Sequence, residues 1–120
     1  MNEIVQKQPF RVPTGDNKII EEHFGKASAG GEQLSLARMV APPNWSEPFQ
    51  NPEFDEYTVI FSGAMKIEVD GRTHTLNSGE SILVRSGSRV CYSNPFGEPA
   101  HYFSVCCPAF SPETVNREED

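Results

Sequence analysis

The chain has 120 residues and a net charge of −7 at neutral pH, enough for one domain with a modest core. No cluster of Lys and Arg offers the basic face that phosphate backbones and anionic lipids require, so neither nucleic acid nor membrane is an expected partner. The three cysteines, Cys91, Cys106 and Cys107, form neither a disulfide framework nor a CxxC zinc pair.

With no apolar signal segment among the first residues, these thiols read as reduced in a cytoplasmic chain. Val and Ile together (15) far outnumber Leu (4), which favours pleated sheet, because β-branched side chains lose χ1 freedom in a helix. In chain order, β-branched and aromatic runs predict strands at 19–24, 33–41, 57–61, 64–69, 72–76, 81–84, 89–93 and 100–107. Turn signals separate them at Ser62-Gly63, Asp70-Gly71, Ser78-Gly79 and Asn94-Pro95. The pattern predicts an all-β antiparallel barrel or sandwich of about eight or more strands with little or no helix.

Two segments carry specific expectations. Tyr57-Thr58-Val59-Ile60-Phe61 is nearly apolar throughout, so both of its faces are expected to be covered, the second by another copy of the chain in a homodimer. After Pro108 the polar stretch 109–120 is expected to be a surface tail, with Phe110 as an anchor for its first part. The barrel core is expected over about 33–107.

Two spaced motifs lie in that core. Asn44, Gln50, Pro52, Glu56 and Gly63 fall on the spacing Gly-x5-His-x-His-x3-Glu-x6-Gly, and Gly79, Arg85, Gly87, Val90 and Asn94 fall on Gly-x5-Pro-x-Gly-x2-His-x3-Asn. The 15 residues from Ala64 to Ser78 separate them and hold the Asp70-Gly71 hairpin. In these positions the chain resembles the cupin superfamily of small jelly-roll barrels. The resemblance implies a single cupin domain. It also implies, for a typical member, Fe, Mn, Ni or Zn held by three His and one Glu. Here those four positions read Gln50, Pro52, Glu56 and Val90. Proline and valine are not ligands and an amide oxygen is a weak one, so no cofactor is expected. The alternative is a divalent metal on a rebuilt set of Glu56, Gln50 and His101. A narrower likeness, carried by Phe54-Asp55-Glu56, Ser62-Gly63 and Pro108-Ala109-Phe110, is to the ethanolamine-utilisation cupins. Some of those are linked to acetate kinase activity, although no Gly-rich phosphate loop occurs here.

If Glu56, Thr58 and Ile60 line one inner wall, then Val90, Tyr92 and Asn94 line another by the same alternation along strands. The strand at 33–41 turns inward either Leu34, Leu36 and Arg38 or Ser35, Ala37 and Met39, and the pattern leaves the phase open. A ligand site is expected from Gln50, Glu56, Arg38, Tyr92 and His101, with desolvated Glu56 as the candidate catalytic acid or base. Trp45 is a candidate cap for the barrel rim. The function expected is binding of a small molecule at a metal-free site centred on Glu56. The alternatives are an enzyme (a lyase, isomerase or rebuilt-site oxygenase) and a packed structural barrel.

Overall fold

The computed structural model describes residues 2–118. Its strands are β1 (Phe10–Arg11), β2 (Ile19–Phe24), β3 (Ser35–Ala41), β4 (Trp45–Ser46) and β5 (Asp55–Ser62), followed by β6 (Ala64–Val69), β7 (Arg72–Asn77), β8 (Ser81–Val84), β9 (Val90–Asn94) and β10 (Ala100–Cys107). Among the described residues there is no helix, and so none long and apolar enough to cross a membrane. Every strand pairing is antiparallel. A six-stranded sheet runs β1-β2-β3-β10-β5-β8 and a four-stranded sheet runs β4-β9-β6-β7.

Alternation builds the core between them. Met65, Ile67 and Val69 of β6 and Val90 and Tyr92 of β9 meet Ile60, Val84, Ala100 and Tyr102 from the larger sheet. Turn chemistry sets the register: Asp70 and Gly71 both take positive φ (49° and 83°), the geometry that matches the twist of a two-residue hairpin. Gly63 is required for a second reason, because a Cβ there would lie 2.3 Å from the carbonyl oxygen of Pro99. Asn44, at the first motif's Gly position, takes the left-handed conformation (φ 61°) that Asn tolerates better than most residues. Asn94 closes the second motif. Its Nδ2 donates to the carbonyls of Ala41, Pro42 and Glu98 and its Oδ1 accepts from Phe96 N–H, so a fully buried amide ties the end of β3 to the loop after β9.

One expectation is corrected here. The segment after Pro108 is no surface tail over its described part: Ala109, Ser111 and Val115 are buried. Its backbone pairs with the stretch before β5 through Asn51 N to Asn116 O (3.1 Å), Glu53 N to Thr114 O (2.9 Å) and Glu118 N to Phe49 O (2.7 Å). Val115 and Phe110 pack with Phe54 and Cys106 into a second apolar cluster, and burial of those side chains is what draws a polar segment onto the barrel. Residues 119–120 lie outside the described residues. The outer face of β5 is uncovered within the chain. Tyr57, Val59 and Phe61 are 47%, 42% and 43% exposed, beside Phe103 of β10 at 38%.

Candidate functional site

Strand register brings the inner-wall residues together. On the larger sheet Cys106 lies opposite Glu56 and Ser104 opposite Thr58, while β3 sets Ser35, Ala37 and Met39 opposite Cys106, Ser104 and Tyr102. The inward phase of β3 is therefore the one carrying Ser35, Ala37 and Met39. All of these side chains but Thr58, with Tyr92 from the facing sheet, line a cavity of about 470 Å³. The segment 12–18 between β1 and β2 lies along its rim, and Phe110, Val115 and Arg117 of the C-terminal segment contribute to its wall.

Glu56 is the polar centre. Tyr92 Oη donates to its Oε1 at 3.2 Å and Ser104 Oγ donates to its Oε2. Burial pushes the Glu56 carboxyl above the usual carboxylate range, against the opposing pull of the Ser104 hydroxyl, the Lys18 ammonium and the Tyr92 hydroxyl. The same cause raises Glu47, and it raises Tyr92 and Tyr102 well above the ordinary phenol value. Gln50 is buried, with its backbone paired to Val90 in both directions (2.9 and 2.8 Å) and bridged to Arg117. Its side-chain Oε1 meets no donor.

The rim is also polar. Trp45 Nε1 donates to Asp16 Oδ2 at 2.7 Å, and Lys18 Nζ sits 4.2 Å from the centroid of the Trp45 ring and 5.4 Å from that of Tyr102. Burial would raise the Asp16 carboxyl, but hydrogen bonds from Trp45 and from backbone N–H groups outweigh it and hold the pKa down. Burial lowers the Lys18 amine against the attraction of Glu47, Glu56 and Asp16.

Of the residues expected at the site, Gln50, Glu56 and Tyr92 share the cavity wall. Arg38 and His101 do not, and both are corrected. Arg38 lies on the outer phase of β3 and pairs across the strand with Glu21 of β2 at 2.9 Å, which spares an unpaired guanidinium from burial. His101 alternates with the inward Tyr102 and Ser104, so it faces out and rests against Phe61 with ring centroids 5.8 Å apart. Sequence reasoning missed Lys18 and Ser104, whereas Glu47 is legible as a carboxylate close to Glu56 in the chain. Ser104 was within reach, since it shares a phase with Cys106; Lys18 lies on a non-repetitive segment where periodicity offers no signal.

The family "Cupin domain" matches residues 37–106. The chain belongs to the cupin family. An RmlC-like cupin from Shewanella frigidimarina superposes on this cupin with a TM-score of 0.75 at 12% identity, over 95% of this chain and 96% of that one. The EutQ protein of Clostridium difficile gives 0.61 at 24% identity, over 78% and 64%. In sequence, the chain is 46% identical over 107 residues to a Myxococcus xanthus protein named endoribonuclease YbeY. That match takes 89% of this chain but only 36% of the relative, so the chain spans about a third of the relative's length.

The metal that many cupins hold does not fit this wall. Pro52 and Val90, at two of the four ligand positions, bring no donor atom. Among the described residues no three His, Cys, Asp or Glu side chains converge as a metal site would need. The rebuilt set of Glu56, Gln50 and His101 fails because His101 lies on the other face of its strand.

Proposed function

We propose that this cupin binds a small molecule inside the barrel, with the ligand's polar end at Glu56, Tyr92, Ser104 and Gln50 and its apolar body along Met39, Phe54 and Phe110. The observation that carries the reading is the buried Gln50 Oε1, left without a donor in the wall of an open cavity that also holds the Glu56 carboxyl. A buried acceptor without a partner is destabilising, and a ligand donor satisfies it. The cavity volume falls within the span usual for small-molecule sites, roughly 300–1,000 Å³. That open space also argues against a barrel whose lumen is simply packed.

The test uses Trp45, the chain's single tryptophan, as a reporter in the cavity wall. A screen of small acids, amines, sugars and phenols is read by Trp45 fluorescence and by thermal unfolding. Compounds that raise the midpoint by a few degrees in the parent chain and lose at least about tenfold in affinity in Gln50→Ala support the reading, tenfold being about 1.4 kcal/mol. Compounds that bind both proteins equally, or no binding compound at all, refute it.

A second reading makes Glu56 a general acid or base. It is favoured by burial that keeps the carboxyl protonated further toward neutral pH than a free glutamate, with two hydroxyls holding it in place. Solvent deuterium entering a bound compound with the parent chain and not with Glu56→Gln is the expected signature. We further propose that the exposed stripe of Tyr57, Val59, Phe61 and Phe103 pairs with its own copy about a two-fold axis, forming a homodimer.

A further inference from the structure

The binding reading leaves the class of ligand open, and Lys18 bears on it. Its ammonium is placed over the Trp45 ring and within reach of the Tyr102 ring. Ring faces carry negative quadrupole density and attract cations, indole most strongly. Acids dominate the same wall: Asp16, Glu22, Glu47 and Glu56 stand against Lys18 and Arg117. Lys18 takes part in neither of the ion pairs formed among the described residues. Its charge is therefore held by ring faces and by the field of carboxyl groups beyond contact distance. Gln50 is 4% exposed, and its Oε1 receives no proton from Lys18 or from any other described donor.

We propose that the cavity is built for a small primary ammonium with an apolar body, and that Lys18 is an internal occupant of the ammonium position which the ligand displaces. This rests on the binding reading above and names its ligand class. A ligand ammonium that takes the Lys18 position is not tethered to the segment 12–18, so it is free to turn its three N–H donors toward Gln50 Oε1, which Lys18 leaves unsatisfied, and it takes over the charge balance with Glu47 and Glu56 that Lys18 now provides. Arg117 opposes it, as one cation against four acids. An anionic ligand meets the reverse balance once Lys18 moves aside. The segment 12–18 can release Lys18 because its own ties are few. They are Val12 N to Ile20 O (2.9 Å), Thr14 Oγ1 to Lys18 O (2.6 Å), Lys18 N to Asp16 Oδ1 (3.2 Å) and the Asp16–Trp45 contact.

The experiment is calorimetric titration of the full chain and of Lys18→Met with benzylamine, benzyl alcohol and benzoate at one pH and salt concentration, with Trp45 fluorescence followed in parallel. Benzylamine is expected to bind the parent chain at least about tenfold more tightly than either isostere, and Lys18→Met is expected to tighten benzylamine by about another tenfold as the competing ammonium is removed. Lys18→Gln serves the same purpose should the Met variant fail to fold. A preference for benzoate that Lys18→Met abolishes would overturn the inference by making Lys18 an anion anchor. Equal binding of benzyl alcohol, or benzylamine affinity unmoved by both variants, would overturn it too. In these three outcomes the cavity still binds, so the binding reading stands. Silence from all three probes also overturns the inference, and the binding reading is then decided by its own wider screen.

Discussion

Glu56→Gln separates a desolvated acid from an ordinary one. In the folded chain burial raises the Glu56 pKa, whereas in the unfolded chain it returns to about 4.3. Between those two values the native state holds a proton that the unfolded state has released. The slope of unfolding free energy with pH is then negative, at most about 1.4 kcal/mol per pH unit for this one group. Stability from Glu56 is fully present below the unfolded pKa and is lost as pH rises through the folded one. Glu47, raised by the same cause, adds a second contribution of the same sign. Taking the difference between parent and Glu56→Gln cancels Glu47 and the other groups to first order. At low pH both side chains are neutral and both can meet the Tyr92 and Ser104 hydroxyls, so their stabilities should agree to within about 1 kcal/mol. From the unfolded pKa upward the Gln variant should become progressively more stable than the parent, until the folded pKa is passed. Urea unfolding followed by Trp45 fluorescence at half-unit steps between pH 4 and 8.5 measures this directly. Parallel pH profiles for the two proteins would mean that Glu56 titrates alike in both states, and the argument that burial raises its pKa inside the barrel would collapse.

Two further outcomes follow from the same geometry. Tyr92→Phe removes the hydroxyl that donates to Glu56 Oε1; it should destabilise the chain by about 1 kcal/mol and raise the Glu56 pKa further, seen as a steeper or longer fall of stability with pH. On the outer face, Val59→Glu combined with Phe103→Glu should leave the monomer fold intact, because both side chains are already exposed, and should shift sedimentation from dimer to monomer; a parent chain that sediments as a monomer removes the dimer proposal outright.

Period-two alternation made much of this legible before any coordinates. Glu56 with Thr58 and Ile60, and Val90 with Tyr92 and Asn94, face inward as the pattern requires, because a paired strand has no other way to place alternate side chains. The Asp70-Gly71 hairpin and Asn44 were readable for the same local reason, since few residues adopt positive φ. The segment 33–41 was not, because both of its phases mix apolar and polar side chains. Its choice is made by neighbours, with Arg38 opposite Glu21 on β2 and Ala37 opposite Ser104 on β10. His101 was misplaced although its strand was found, since one residue's shift of phase exchanges the two faces of a strand.

Composition, turn chemistry and strand alternation thus determined an all-β antiparallel barrel or sandwich, because each depends on neighbours close in the chain, and the resemblance carried by the two spaced motifs added its cupin kind and one inward acid. The tertiary structure alone decided that the acid would sit in a cavity walled in part by the segments 12–18 and 110–117, with Lys18 brought over Trp45 from one side and Val115 packed with Phe54 from the other. Those contacts join segments with no repeating pattern of their own, and only the apolar surface they bury together selects where they come to rest.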